Sequence, residues 1–503
     1  MNPLFCPSQQ CVRKGGIWRS RTVRQFALAA LVGALVFLPG CGGSSSIQSL
    51  GGGFSGASLK GQYVIAQTGI GINQAGTSSD PFSETIVFTA DGTKNLNVTV
   101  DDFDQTGGPY GLSSPIAGTY GVNSDGTGFL SFNGSNYSIT MIDDSHFYVI
   151  ESDTFATASG YGEKQDTTAF SAPPSGNFVF KAHQIDFSSR VGGIAITAGA
   201  ISGTEDLLNF GFISSNQAIA STTSMNTPNA SGRGTFALSD GSSFNYYVVN
   251  SGKFHFMSNS SSGSLEIGQA EAQTGGPFSL TTLASGSSYV FGSSGDTSFP
   301  VGIHSAGVFT TDGNGNITAG AVDYVQDANV YTNLPVSGGS YTLAADGRGQ
   351  INLTLTGGTI GPQIFWMVNG TSAYFLVNST AAVEDGTFSQ QQAAPFSSFT
   401  SHATFVMDGF DTAYKDRVGA LAPTSGGFNW NQAANSFDAN QGIGAPSALG
   451  TNGTIQIGSN GRATVTVNGV TSSLVFYLSS PNTGFMVQED ADIGGTFAQQ
   501  ASQ

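Results

Sequence analysis

Cysteine is nearly absent from this 503-residue chain, and charge is scarce. Cys6, Cys11 and Cys41 all fall in the first 41 residues, so residues 42–503 contain none. No disulfide can brace the bulk of the chain, and its core must come from burial alone. Charged residues make up 10%, against about 25% in ordinary globular domains. Basic residues are scarcer still: residues 41–503 keep 11 Lys and Arg against 33 Asp and Glu, a formal charge of −22. Such a surface repels phosphate backbones and argues against nucleic acid as a partner. Only Trp366 and Trp430 lie beyond the first forty residues, few for a dedicated sugar-stacking surface. Apolar spacing of period 3.6 is missing after residue 58, which excludes long amphipathic helices. The apolar run at 26–38 falls short of the ~20 residues that cross a bilayer.

That run is informative in another way. Residues 1–40 hold Arg13, Lys14, Arg19, Arg21 and Arg24 and no acid, followed by the apolar stretch and Leu38-Pro39-Gly40-Cys41. A basic segment, an apolar segment and a small residue before a cleavage point predict a secretory signal peptide. Leu38-Pro39-Gly40-Cys41 resembles the lipobox of bacterial lipoproteins. The resemblance implies cleavage before Cys41, diacylglycerol on its thiol and acylation of its amino group. Gly42, rather than Asp, follows the cysteine, which by the same resemblance directs the protein to the outer membrane. Lipidation also accounts for a lone cysteine in an exported chain. Residues 42–58 are Gly/Ser-rich and read as a flexible tether.

Beyond the tether, 70 Gly would suggest disorder, but 37 Phe and 15 Tyr contradict it. The aromatics recur in order. A Gly-x-Tyr or Gly-x-Ile strand leads into a glycine turn: Gly118-Thr-Tyr120 into Asp125-Gly126-Thr-Gly128, Gly339-Ser-Tyr341 into Asp346-Gly347-Arg348-Gly349, and Gly453-Thr-Ile455 into Asn460-Gly461-Arg462. Ser231-Gly232-Arg233-Gly234 is a weaker copy. An aromatic strand opens each unit at Tyr63, Phe178, Tyr289 and Phe405. A Gly-to-Gln segment closes it: Gly160 to Gln165, Gly386 to Gln391 and Gly495 to Gln500, with Ser264 to Gln269 as the looser second copy. Three landmarks in the same order four times predict a repeat.

The expected organisation is a lipoprotein signal peptide at 1–40, a tether at 41–58, and β units at 59–165, 172–273, 284–392 and 399–500. In the third unit, turn chemistry places eight strands, with Asp312-Gly313 and Asn314-Gly315 at one hairpin. Successive hairpins predict an all-β fold of tandem antiparallel meanders, each an up-and-down barrel closed by its first and last strands. Immunoglobulin-like sandwiches are the alternative. The whole pattern resembles tandem β-repeat secreted lipoproteins of soil bacteria, a resemblance that implies no particular activity.

Candidate chemistry is thin. No two of His146, His183, His255, His304 and His402 have metal-ligand spacing, and no GxSxG elbow occurs. Alternation in Phe254-His255-Phe256 puts His255 on the face away from both rings, read as solvent-facing. The acidic pairs Asp101-Asp102, Asp143-Asp144 and Glu384-Asp385 read as turns or exposed strand ends, and strand neighbours point to opposite faces. Asp312, Asn314 and Asn316, with Asp323, echo a calcium loop, although Ile317 stands where the EF-hand pattern wants Gly. The same residues suit a hairpin turn. No cofactor is expected. The expected function is a non-catalytic surface protein, lipid-anchored to the outer membrane with its body periplasmic or on the cell surface, for adhesion or display. Its partner would be a protein, a polysaccharide or a small ligand. The alternatives are a ligand-binding lipoprotein, holding apolar or sugar ligands in barrel interiors, and a hydrolase.

Overall fold

A computed structural model describes residues 53–501, without 73–78, 106–107, 113, 185–187, 210–211, 260–264, 299–300, 327–328, 357, 378–381, 393–395, 397–398, 411–412, 439–441, 445 and 471–472. The signal segment, Cys41 and most of the tether lie outside the described residues. Four closed antiparallel barrels follow one another, each of eight strands in meander order, so the sandwich alternative falls away. Their strands span 60–164, 176–272, 288–390 and 403–499. In barrels 1 and 4 the fourth strand is split, as Gly108–Tyr110 with Ile116–Val122 and as Gly442–Ile443 with Ser447–Ile457. Each barrel closes through its aromatic opening strand: Tyr63 lies opposite Lys164, Phe178 opposite Ala272, Tyr289 opposite Gln390 and Phe405 opposite Phe497. Closure pairs the first and last strands of each barrel, while Gly108–Tyr110 and Gly442–Ile443 pair on one side only and Phe212–Thr223 meets Arg233–Leu238 only at Ser221 and Thr223 among the described residues. Among the described residues, no helix is long and apolar enough to cross a membrane.

In the third barrel the turn signals mark the strands well, with one difference. The strand Asn329–Leu343 begins ten residues before Gly339. Its first half pairs with Asn316–Gln326 through a register shift between Val322 and Tyr324, so the alternation that would reveal it is broken.

The opening strands Tyr63-Val64-Ile65, Phe178-Val179-Phe180 and Tyr289-Val290-Phe291 bury both faces, whereas Val406 of Phe405-Val406-Met407 is half-buried. Tyr289 and Phe291 enter the core of barrel 3, whereas Val290 on the other face packs against Val475 and Tyr477 of barrel 4. Val64 and Val179 repeat this outward packing against barrels 2 and 3. Each barrel is stoppered at one end by an aromatic from the segment before its first strand: Phe54, Phe170, Phe278 and Phe396. The repeated Tyr has its purpose here. Tyr120 Oη donates to the carbonyls of Gly56 and Leu59, and Tyr341 Oη to those of Leu280 and Leu283, tying the stopper in place.

The closing Gln residues join one barrel to the next. The Gln165 side-chain amide donates to Ser231 O and Val248 O of barrel 2, Gln273 to Asp346 O and Met367 O of barrel 3, and Gln391 to Asn460 O and Leu478 O of barrel 4. Gln500 makes the same contact with Asp125 O and Met141 O of barrel 1. The four barrels therefore close into a ring. In barrel 2 the closing landmark is Gly268 to Gln273, which corrects the Ser264–Gln269 alignment by four residues. The turn glycine in each receiving site has positive φ, and in barrel 2 a Cβ on Gly232 would stand 2.6 Å from Gln165 Nε2.

Candidate functional site at the ring axis

Strands of adjoining barrels run alongside each other, and one position recurs at three of the four junctions. Asp102, Asp206 and Asp323 each stand three residues before the end of their barrel's third strand (Asn95–Gln105, Ala200–Asn209, Asn316–Gln326). Each is buried and clasped by the next barrel. Arg348 grips Asp206 with two parallel bonds of 2.6 and 2.9 Å, and Trp366 Nε1 adds a third at 2.9 Å. Arg462 grips Asp323 at 2.6 and 2.8 Å, joined by Tyr477 Oη. At Asp102 the guanidinium bond is single, Arg233 Nε and Tyr247 Oη both donating to Oδ2. The planar bidentate pairing of Arg348 and Arg462 fixes orientation as well as adding stability.

The fourth junction, between barrels 4 and 1, lacks this clasp. Thr127 and Thr140, paired as Arg233 and Tyr247 are, take the cation and aromatic places, and Asn435 takes the carboxylate place in Gly427–Asp438. Asn435 Nδ2 donates instead to the carbonyls of Glu151, Asp153 and Ala156. A small apolar contact joins Val418 to Tyr148 and Ile150. Thr157 and Ser159 of barrel 1 donate to Asp416 and Asp408 of barrel 4.

Each barrel uses its opening strands against one neighbour and its later strands against the other, so its first and last strands face the middle of the ring. Charged side chains collect there and at the adjoining junctions. Glu163 accepts from His255 at 2.6 Å and pairs with Lys253 at 3.0 Å. Burial drives the Glu163 carboxyl up, but His255 and Lys253 outweigh it and hold it down at about 2. His183 lies between Asp385 at 3.0 Å and Asp296 at 3.3 Å. Burial disfavours its charge, yet the two carboxylates raise it to about 10. Asp416 is pushed well above the usual carboxylate range by burial and by neighbouring Asp408.

A cavity of about 180 Å³ opens among barrels 2, 3 and 4, lined by Lys181, His304, Asp385 and Asp408 among others. A groove of about 680 Å³ runs between barrels 2 and 3 beside Gly203, Gly275 and Trp366. Barrel 2 itself is packed: the space within it is about 20 Å³, enclosed by Phe180, Phe236, Phe244 and Phe256.

Several residues stand elsewhere than strand alternation alone indicates. His255 is buried at the junction of barrels 1 and 2, not in solvent, because its outward face is covered by Glu163. Glu384 and Asp385 are buried too, Glu384 inside barrel 3 with Ser293 and Ser305, and Asp385 against Lys181 and His183. Asp101 and Asp102 are likewise buried, whereas Asp143 caps a turn at His146. The calcium pattern is only partly brought together. Asp312 accepts from Asn314 N at 2.7 Å, Asn316 N at 3.0 Å and Asn316 Nδ2 at 2.6 Å in an exposed hairpin turn, but Asp323 lies down the strand in its clasp with Arg462. Among the described residues no group of three or more His, Cys, Asp or Glu could hold a metal ion.

No protein family and no curated protein matches this chain. Among solved structures, similar ones include transferrin binding protein B from Haemophilus parasuis, at 9% identity over 66% of this chain and 76% of that one, with a TM-score of 0.20. The isotype 1 transferrin binding protein B of Neisseria meningitidis matches at 10% identity over 69% and 82%, with a TM-score of 0.16. The intact Ap-TbpB, with N and C lobes, matches at 8% over 65% and 76%, with a TM-score of 0.18. At that level the likeness decides nothing about ligand or partner.

Proposed function

We propose that this chain is a non-catalytic surface lipoprotein, held by lipid on Cys41 to the bacterial outer membrane, whose ring of barrels displays hairpins for adhesion. The observation that carries the reading is the unlikeness of the ring's two faces. The chain enters barrel 1 at Phe54, whose N–H donates to Ser124 O beside the Asp125-Gly126 turn. The opposite end of the strands carries three of the four exposed aromatics among the described residues: Phe155 beyond His146–Ser152 in barrel 1, Phe212 in the barrel 2 hairpin and Tyr331 in the barrel 3 hairpin; the fourth, Phe129, lies in Thr127–Phe132. Phe212 is 78% exposed. A tether at one face and apolar tips at the other suit a platform that holds its contacts away from the membrane.

The test is cellular. Cys41→Ser is expected to move the protein from the membrane fraction to the soluble fraction. Phe212→Ser with Tyr331→Ser is expected to weaken attachment of cells to a matrix while leaving surface labelling unchanged. Unaltered attachment in the double variant rejects the adhesion reading.

Ligand binding is a second reading, favoured by the groove between barrels 2 and 3 rather than by the packed interior of barrel 2. Protection of Gly275 and Gly276 amides from exchange by a small sugar would support it.

A further inference from the structure

Asp408 and Asp416 belong to adjacent strands of barrel 4, Ala403–Phe410 and Tyr414–Thr424. The register that sets Met407 opposite Arg417 and Phe410 opposite Tyr414 places them directly across from each other. Directly opposed like charges are unfavourable even in water, where their Cβ atoms stand about 5 Å apart. Here the pair is also pressed against barrel 1, and Asp416 is fully buried.

The groups bonded to the pair supply no positive charge, and Lys181, which lines the same cavity as Asp408, is paired with Asp385. Ser159 Oγ donates to Asp408 at 2.6 Å, and Thr157 donates to Asp416 Oδ2. Asp296 and Tyr414 add negative or neutral groups, and burial lowers the proton affinity of His304 despite Asp408 and Asp296 beside it. Arg417, next on the strand, turns to the opposite face and bonds Gln488. Asp416 Oδ1 is buried with no hydrogen-bond partner among the described residues. A proton shared with Asp408 would relieve the repulsion, and an ion bound by both carboxylates would relieve it and give the partnerless oxygen a ligand as well.

We propose that Asp408 and Asp416, with the hydroxyls of Thr157 and Ser159, bind one hard divalent cation of the calcium class at the junction of the last and first barrels. All four side chains offer oxygen only, the donor set that calcium takes and softer metals do not favour. The cavity lined by Asp408 gives room for the waters that complete such a shell, each needing about 30 Å³. The ion would draw barrel 1 to barrel 4 at the one junction without an Arg–Asp clasp. The site is independent of the lipid anchor and of the adhesion reading.

Calorimetry on the purified full chain tests it, after treatment with chelator at pH 7.5. Calcium is expected to raise the melting temperature saturably, with about one ion bound per chain, and magnesium to act more weakly because its octahedral shell is less adaptable. Asp416→Asn is expected to melt above the wild-type chain in chelator and to lose the calcium response. Asp312→Asn, at the exposed turn, is expected to keep it. The proposal fails if millimolar calcium leaves the wild-type melting temperature unchanged, or if the response follows Asp312 and not Asp416. It fails equally if acid alone brings the wild-type chain up to Asp416→Asn with no calcium bound. Should Asp416→Asn not fold, Asp408→Asn, at a half-buried position, makes the same comparison.

Discussion

The side-chain amide of Gln500 donates to the backbone carbonyls of Asp125 and Met141, at 2.9 Å each, so the last barrel grips the first. Gln165, Gln273 and Gln391 grip the succeeding barrel in the same way. One device thus serves four junctions, three between consecutive units and one that closes the ring.

Closure has a direct consequence for Gln500→Ala. The variant leaves two buried carbonyls without a side-chain donor, at a cost of about 1–3 kcal/mol. Gln391→Ala removes an equivalent pair and should cost about as much. Denaturant titration compares them: a neutral Gln500→Ala beside a costly Gln391→Ala would mean that the ring is open in solution.

Arg348→Met should be more damaging than a surface charge loss. It leaves Asp206, fully buried, with Trp366 Nε1 and the Asn216 N–H but no cation, a change of about 3–5 kcal/mol. Adding Asp206→Asn should recover part of the loss, because the uncompensated charge is then gone. A double variant no better than Arg348→Met would refute the clasp as the cause.

Stability should depend on pH from both sides. His183 is raised from 6.5 to about 10, so its contribution is full below pH 6.5 and is lost as pH rises towards 10. Glu163 is lowered from 4.5 to about 2, so its contribution is full above pH 4.5 and is lost as pH falls towards 2. Unfolding free energy measured from pH 5 to pH 10 should decline less steeply in His183→Gln than in the wild-type chain. Parallel profiles would show that the His183 charge is not stabilising.

Gly232→Ala meets two obstacles at once. The residue has φ of 73°, and the new methyl would press on Gln165 and Phe170. The expected loss exceeds about 1 kcal/mol. Gly241, also at positive φ but with open space around it, isolates the backbone part. Gly241→Ala should cost less, and equal losses would exclude crowding at the latch.

Much of the barrel was legible in the chain. Tyr289-Val290-Phe291 alternates, Asp-Gly and Asn-Gly mark hairpins, and the spacing from Tyr341 to Gly347 repeats in the other strong copies, because these signals act over a few neighbouring residues. The candidate site was not legible, for a physical reason that His255 makes plain. Alternation shows that His255 and the adjoining Phe side chains occupy opposite faces, but not whether water or Glu163 covers the outer one.

Read alone, the chain establishes an all-β array of four meander units, since strand period and turn chemistry are local. Only the tertiary structure decided that the units form a ring, that Gln273 rather than Gln269 closes the second, and that polar strand residues such as His255 and Asp385 are buried. Those outcomes rest on contacts such as Arg348 with Asp206, 142 residues apart, and Gln500 with Asp125, 375 apart. At such separations no sequence period carries the pairing.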